Sequence, residues 1–367
     1  MSESKLSNEF KLETIHLIGW NVIQGKNSYQ LEFLRSISEN FKVLVTSSNE
    51  YFISQKTRYP DQFILLKKNP LARFIQVLNL YLIVKKPSIS IIAPSGRFAF
   101  VYLILCKIFS VRTIAVEWGD LYEIEERRFL TKFFYLRLMR RANYVWYKEP
   151  YMRKMLLEKG ISKLRYLPNA CPLQSQPCLS DKDLDFDFLW MNRNVTSRYP
   201  ELLLHALVDL ARIREFRCLI MGLYNSELEL NNWLNKMGFS STVLEGLGIF
   251  LKPFGDPTEF LGNSKFFVLF GDHIFGNNAL LEAMSMGLVP LVNVSEGVDE
   301  VVLDGVSGVH CALDIDDIKS KLEFLMDLDS ISYSNFSAQS IQIVRSSFNT
   351  SLWQERAKKL LKDCVNS

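Results

Sequence analysis

The chain has 367 residues, of which 48% are hydrophobic and 23% charged, a globular composition that is long enough for two domains. Its net charge of +3 is unevenly placed, because residues 1–170 hold 27 Lys and Arg against 14 Asp and Glu. The longest apolar run, residues 98–106, is too short to span a bilayer, and the polar N-terminus does not have the pattern of a signal peptide. We therefore expect a cytoplasmic protein.

The six cysteines and four histidines show no metal-binding pattern. The cysteines form no C-x-x-C pair, and no histidine stands at metal-ligand spacing from a cysteine or from another histidine. Unpaired thiols in a chain without an export signal favour a reducing compartment. We therefore expect no structural metal ion.

The first half of the chain alternates apolar runs with amphipathic stretches. Buried parallel strands are predicted at 14–19, 42–46, 88–93, 112–117, 144–147 and 163–167, and helices at 28–40, 70–84, 98–109 and 125–141. Pro70 suits the first turn of its helix, and Pro87 ends that helix. This alternation predicts a doubly wound α/β sheet.

A polar, proline-containing stretch at 173–184 predicts a linker, after which the alternation starts again. Strands are predicted at 186–191, 217–222, 266–270 and 289–294, and helices at 200–213, 227–237, around Glu282, at 316–328 and at 351–364. The predicted fold class is therefore α/β, with two doubly wound, Rossmann-like domains facing a cleft.

Residues 270–310 form the most informative segment, with the pattern loop, helix, strand, loop. Residues 276–278 are a flexible polar loop, residues 279–284 favour a helix, and Gly287 suits the end of that helix. The start of a helix offers backbone N–H groups to an anion. This position therefore predicts an anion site.

Two kinds of contact at this helix predict a nucleotide. The backbone at its start is expected to bind phosphate through four residues, Asn277, Asn278, Ala279 and Leu280. Glu282 follows in the first turns of the helix. An acidic residue is able to accept both vicinal hydroxyls of a ribose, as in dinucleotide-binding folds.

The segment resembles the retaining glycosyltransferases of the GT-B fold, in particular family 4. Residues 278–284 match the second half of the Glu-x7-Glu motif of that family, residues 296–300 its Gly-Gly-x-x-Glu turn, and residues 304–308 its Asp-Gly-x-x-Gly hairpin. The resemblance implies that a sugar is transferred with retention from a nucleotide diphosphate sugar of UDP or GDP type, without metal or cofactor. One departure is clear, because Ile274 stands where the first Glu of the motif would touch the donor sugar.

The resemblance also implies a plan for the domains. Residues 1–172 would bind the acceptor, residues 173–184 would be the linker, and residues 185–345 would bind the nucleotide sugar. The C-terminal residues 346–367 would contain a helix that packs back on the first domain.

Two arginines follow the first strand of the second half. Arg193 ends that strand, and Arg198 precedes the helix that begins at Pro200. Arginine binds phosphate in bidentate fashion, and an Arg and a Lys occupy these places in the family that the chain resembles. We predict that both arginines bind the donor diphosphate. The alternative is a pair of solvated surface arginines.

Glu117 and Asp120 flank Trp118-Gly119 at the end of a predicted strand in the first domain. In the family that the chain resembles, a His-Gly pair stands here and faces the reacting sugar. Either carboxylate is able to orient or deprotonate the acceptor hydroxyl, and Asp120 is favoured because it lies in the loop beyond the strand. The alternative is a turn in which Asp120 is a helix N-cap.

Three further residues are predicted to bind the donor. Gly25 and Lys26 resemble the N-terminal Gly-Gly loop that approaches the donor phosphate, although Ser28 is also a plausible N-cap. His273 adjoins the position of the missing Glu, and the alternative is a solvated loop histidine. The Pro168-Asn169 step is interpreted as a turn.

Two basic amphipathic stretches, residues 67–86 and 125–141, predict contact with an anionic membrane surface. The second stretch combines aromatic residues with six Lys and Arg. No stacking module or helix-turn-helix pattern supports nucleic acid as a partner. The alternative is that both stretches are solvated faces of core helices.

We therefore predict a glycosyltransferase that acts on a glycan or lipid-linked acceptor in cell-surface polysaccharide or glycolipid synthesis. It would be cytoplasmic or peripheral on the inner face of the membrane. The changes at Ile274, at Trp118-Gly119 and at the single Gly25 keep a second function open. That function is a degenerate GT-B protein that binds nucleotide or acts as a non-catalytic subunit of a glycan assembly complex.

Overall fold

The structure is a computed structural model that describes most of the chain. The described residues are 14–18, 42–47, 62–65, 70–83, 87–92, 97–117, 121, 124, 128–171, 184–192, 196–224, 226–253, 255, 258–274 and 276–366. The helix predicted at 28–40 and nearly all of the predicted linker lie outside them. The described residues up to Leu167, with those from Trp353 onward, form one unit, and Pro168–Leu352 form a second.

The first unit contains a parallel sheet of seven strands. The strands are β1 (Thr14–Ile18), β2 (Lys42–Ser47), β3 (Gln62–Leu65), β4 (Ile89–Ile92), β5 (Arg112–Glu117), β6 (Tyr144–Tyr147) and β7 (Leu164–Tyr166), in the order β3-β2-β1-β4-β5-β6-β7. Its described helices are α1 (Pro70–Ile83), α2 (Arg97–Ile108), α3 (Phe129–Arg141) and α4 (Met152–Glu158).

The core of this unit lies between the central strands and one face of each helix. In α3, Tyr135, Leu138 and Met139 are buried, at the three- and four-residue spacing that places side chains on one helical face. The Trp146 indole N–H donates to the Leu167 carbonyl at 2.7 Å, which satisfies its polar group inside the core. Its ring packs against Trp353 with a centroid distance of 6.1 Å.

The second unit contains a parallel sheet of six strands. These are β8 (Phe186–Met191), β9 (Cys218–Met221), β10 (Ile249–Lys252), β11 (Ser264–Leu269), β12 (Val289–Asn293) and β13 (Val309–Cys311), in the order β10-β9-β8-β11-β12-β13. Its helices are α5 (Pro200–Ala211), α6 (Glu227–Met237), α7 (Ser241–Gly246), α8 (Thr258–Gly262), α9 (Asn278–Ser285), α10 (Ile315–Met326) and α11 (Ser330–Ile343). A π-helical turn, Val344–Phe348, leads into α12 (Thr350–Asn366).

Aromatic rings fill the centre of the second unit. The Phe188 ring lies 5.9 Å from that of Phe216 and 5.5 Å from that of Phe266, measured between centroids. The strands are apolar on both sides because helices cover both faces of a parallel sheet. Such burial contributes about 25 cal/mol per Å² of apolar surface, so this core supplies most of the stability of the unit.

The predicted fold class is confirmed, because both sheets are parallel and their strands alternate with helices. Several elements were not predicted from the sequence: the short elements β3, β10, β13, α4, α7 and α8, and the 14-residue helix α11. Within the described residues, no helix is both long enough and apolar enough to cross a membrane.

Gly248 offers a test of the packing between β9 and β10. Its φ of +82° is in the left-handed region, and a Cβ there would collide with the Phe216 carbonyl oxygen. We expect Gly248→Ala to cost at least about 2 kcal/mol and to lower the thermal unfolding midpoint by about 4–8 °C. Gly246→Ala is the matched control, because no atom lies within 4 Å of its added Cβ. Equal midpoints for the two variants would contradict this packing.

Buried thiols predict a loss of stability at alkaline pH. Burial raises the pKa of Cys311 to about 12 and that of Cys364 to about 11, from an ordinary value of 9.0. The folded chain therefore keeps protons that the unfolded chain releases, so stability is complete below about pH 9 and falls as the pH rises toward the folded values. The thermal midpoint should fall over this range, and the fall should be shallower in Cys364→Ala. Identical slopes would contradict the prediction.

Candidate functional site

The strand order of the second unit reverses between β8 and β11. The chain runs from β8 outward to β9 and β10, and then returns to place β11 on the other side of β8. In open α/β sheets, ligands bind outside the carboxyl ends of the strands at such a switch point. The relevant residues are therefore those that follow Met191 and those that follow Leu269.

Hydrogen bonds join the two loops at this point. Arg198 Nη1 donates to the His273 carbonyl at 3.1 Å, and the Asp272 N–H donates to the Ser197 carbonyl at 3.3 Å. The Tyr199 hydroxyl is hydrogen-bonded to Asp272 Oδ1. The structure therefore brings together two of the predicted donor-binding residues, Arg198 and His273, which are 75 positions apart.

Gly271 allows the arginine to approach the loop backbone. A Cβ at this position would overlap Arg198 Nη1, so a larger residue here would displace the guanidinium from its present position. The buried Asn293 amide holds the same glycine from the other side. Its Oδ1 accepts from the Gly271 N–H at 2.7 Å, and its Nδ2 donates to the Gly271 carbonyl at 3.1 Å.

The start of α9 lies at the end of the same loop. Asn277 is its N-cap, and the Asn277 side chain accepts from the Leu280 N–H at 3.1 Å. The Leu280 side chain is buried and its N–H is occupied by this cap, so its predicted phosphate contact competes with a bond inside the protein. The N–H groups of Asn278 and Ala279 are the ones placed for an anion. No acidic residue in the first turn offsets the positive end of the helix.

Asn169 is a residue of this site that the sequence analysis missed. Its Nδ2 donates to the Gly276 carbonyl and, at 3.0 Å, to Asn278 Oδ1. The side chain is buried, so the amide lies inside the protein and holds the loop that leads into α9. The Pro168-Asn169 step was visible in the sequence, but Asn169 and Gly276 are 107 positions apart, so the local sequence gave no sign of their contact.

Glu282 lies in the second turn of α9 and is partly exposed. Burial raises the pKa of the nearby Cys171 thiol to about 12. A hydrogen bond with Ser285 lowers this pKa, whereas the charge of Glu282 raises it. Cys171 therefore remains a neutral thiol at physiological pH.

Ile274 is fully buried. At the position where the resembling family has its first Glu, this chain therefore has an apolar side chain packed inside the protein. The Ile274 carbonyl accepts from the Asn277 N–H at 3.2 Å, so the residue shapes the turn before α9. Its neighbours Asp272 and His273 have exposed and partly exposed side chains, respectively.

In the first unit, Glu117 lies at the carboxyl end of β5 and is fully buried. Its Oε1 accepts from the Leu121 N–H at 3.0 Å, so the carboxylate is hydrogen-bonded inside the protein. Glu149 follows the adjacent strand β6 and is also buried, with its Oε2 accepting from the Tyr151 hydroxyl at 2.6 Å. Glu149 was not predicted from the sequence, because a single Glu before a proline belongs to no recognised motif.

The remaining predicted site residues, Arg193, Asp120, Gly25 and Lys26, lie outside the described residues, and their roles stay predictions. Within the described part of the chain, no group of three or more His, Cys, Asp or Glu is arranged to hold a metal ion.

Comparison with known proteins identifies the class of the second unit. Residues 180–342 match the family described as glycosyl transferases group 1. The resemblance to GT-B glycosyltransferases that the sequence predicted is thereby confirmed. No curated protein matches the chain by sequence.

Solved structures share the fold over nearly the whole chain, at low identity. A glycosyltransferase from Rickettsia africae ESF-5 has a TM-score of 0.77 at 13% identity, covering 97% of this chain and 99% of its own. HepE from Anabaena, in complex with UDP-glucose, has a TM-score of 0.75 at 13% identity, with 96% and 100% covered. Sucrose-phosphate synthase from Thermosynechococcus elongatus has a TM-score of 0.76 at 13% identity, with 96% and 98% covered.

Asn169→Ala tests whether the buried amide holds the start of α9. The substitution leaves a buried carbonyl and an amide oxygen without their donor, which costs about 1–3 kcal/mol. We expect a lower thermal unfolding midpoint and weaker binding of UDP or GDP, measured by titration calorimetry. Asn235→Ala, at an exposed position of α6, is the matched control. Unchanged nucleotide affinity in Asn169→Ala would reduce its role to fold stability.

Proposed function

We propose that the chain transfers a sugar from a nucleotide diphosphate sugar of UDP or GDP type to an acceptor hydroxyl, with retention of anomeric configuration and without a metal ion. The observation that supports the proposal is the hydrogen bond from Arg198 to the loop that leads into α9, at the switch point between β8 and β11. The match to glycosyl transferases group 1 and the UDP-glucose bound to the HepE neighbour support it. The reaction would serve cell-surface polysaccharide or glycolipid synthesis on the cytoplasmic side.

The chemistry of this reaction places developing negative charge on the leaving diphosphate. Arg193, Arg198 and the N–H groups of Asn278 and Ala279 would stabilise that charge in the transition state. Arg198 is held by its hydrogen bond to the His273 carbonyl and the two N–H groups by α9, so little reorganisation of these groups would be needed during the reaction. Glu282 would accept the vicinal hydroxyls of the ribose and so fix the nucleoside end of the donor.

The donor sugar would meet different contacts from those of the family pattern. Ile274 offers no polar atom to a sugar hydroxyl, so Asp272 and His273 are the nearest side chains able to replace the missing carboxylate. Asp120 would orient or deprotonate the acceptor hydroxyl. Glu117, being buried and bonded to the Leu121 N–H, would position the Asp120 loop.

A panel of UDP and GDP sugars, read by thermal shift and by release of the nucleoside diphosphate, tests this function. The preferred donor should add about 2.7 kcal/mol of stability at roughly 100 times its dissociation constant. Glu282→Gln and Arg198→Lys should each weaken binding about tenfold or more, because each loses a charge-assisted or bidentate contact.

Matched controls for this panel are Glu215→Gln and Arg212→Ala, which lie near the opposite edge of the same sheet and should bind the donor as the native chain does. Nuclear magnetic resonance of the product would give its anomeric configuration. A donor that binds but is never turned over with any acceptor would favour the non-catalytic GT-B subunit. Absence of binding by every nucleotide sugar would contradict the proposed function.

A further inference from the structure

Large apolar side chains are exposed on one helical layer of the first unit. Because β3, β4, β5 and β6 follow one another in one direction across the sheet, right-handed crossovers place α1, α2 and α3 on the same face. Most of the exposed large apolar side chains described in this unit lie on these three helices: Ile75, Leu82, Ile104, Ile108, Phe129, Leu130 and Phe133.

The first two turns of α3 hold the densest part of this layer. The side chains of Phe129, Leu130 and Phe133 are 77%, 50% and 39% exposed. The Phe129 and Phe133 rings stack at a centroid distance of 6.3 Å, which makes one continuous ridge. These side chains do not belong to the core, because Tyr135, Leu138 and Met139 form the buried face of the same helix. We call Phe129, Leu130 and Phe133, with Arg137, the α3 surface.

Positive charge surrounds this ridge. The Arg137 guanidinium lies 5.0 Å from the centroid of the Phe133 ring, and Arg128 precedes the helix with an exposed side chain. The helix itself contains Lys132, Arg137, Arg140 and Arg141 but no Asp or Glu. Glu125 and Glu126, outside the described residues, are the nearest acidic residues in sequence. Apolar aromatic side chains set among arginines complement a phase with an apolar interior and anionic headgroups.

The α3 surface also lies at a defined edge of the sheet. The chain leaves the carboxyl end of β5 at Glu117 and enters α3 at Phe129, so the start of this helix stands at the strand edge that carries Glu117. Asp120, the predicted acceptor-side residue, lies between Glu117 and Phe129 in the sequence. A bilayer in contact with Phe129 and Phe133 would therefore adjoin the acceptor edge of the unit.

We propose that the α3 surface docks on an anionic lipid bilayer and so presents the acceptor edge of the first unit to an acceptor carried by a lipid. The docking stands on the exposed aromatic and basic side chains, whereas the acceptor class rests on the proposed function. Phe129 and Phe133 would enter the interface between headgroups and acyl chains. Arg128 and Arg137 would bind the headgroups.

Co-sedimentation with vesicles tests the docking. The full chain should bind vesicles of phosphatidylcholine with phosphatidylglycerol, and bind phosphatidylcholine vesicles much more weakly. Phe129→Ser combined with Phe133→Ser should lower the affinity more than tenfold. Arg137→Gln should lower it about fivefold, which is the factor for about 1 kcal/mol per basic residue near the lipid. All these positions are exposed, so the thermal midpoint should not change.

The matched controls replace exposed residues of the second unit. Phe324→Ser with Ile331→Ser removes exposed apolar side chains, and Arg212→Gln removes an exposed arginine. These variants should bind vesicles as the native chain does. Equal binding to neutral and anionic vesicles, equal losses in the control variants, or no vesicle binding at all would overturn the docking.

The nucleotide-sugar thermal shift, measured on the same variants, separates the two proposals. If the docking is wrong and the function is right, the donor shift persists without vesicle binding. If the function is wrong and the docking is right, vesicle binding persists without any donor shift. Faster transfer to a vesicle-borne acceptor than to its soluble headgroup is expected for the native chain, and equal rates would overturn the lipid-linked acceptor.

Discussion

The loop that leads into α9 depends on two long-range hydrogen bonds to its backbone. Arg198 donates to the His273 carbonyl, and the buried Asn169 amide donates to the Gly276 carbonyl. An isolated loop of this length would have many conformations, and ordering it costs about 1–2 kcal/mol per residue. Both donors lie far before the loop in the chain, and their two hydrogen bonds offset part of that cost. The loop that leads into α9 is thereby joined to the segment that follows β8.

Relative to the motif of the resembling family, this region keeps the charged residues Arg198 and Glu282 and has the apolar Ile274 in place of a Glu. Arg198, the helix start and Glu282 are the groups that a diphosphate and a ribose require. Ile274 occupies the core instead of presenting a carboxylate, and a buried Glu at that position would be costly without a partner. Under the proposed function, the change would affect the contacts of the donor sugar, whereas other residues would bind the nucleotide.

Long apolar periodicity predicted most of the fold. The strands at 112–117, 144–147 and 186–191 have the predicted bounds, because each is a buried apolar run between polar turns.

Other elements were not predicted from the sequence. The four-residue strand Ile249–Lys252 lies at the sheet edge with two partly exposed side chains and one exposed side chain, so it has neither the alternation nor the unbroken apolar run of a predicted strand. Ser330–Ile343 mixes serines with apolar residues, and its helical state depends on the Asp329 cap and on its packing.

The sequence by itself determined the α/β class, the helix that contains Glu282 and the identity of Glu282 and Arg198 as candidates, because local propensity and spacing express these features directly. Only the tertiary structure decided that Asn169 contacts the loop that leads into α9 and that Glu117 and Ile274 are buried. It also exposed Phe129 while turning Tyr135 inward. Each of these outcomes depends on which strands become neighbours. Contacts between residues far apart in the chain produce no periodic pattern in the local sequence, so the local sequence does not predict them.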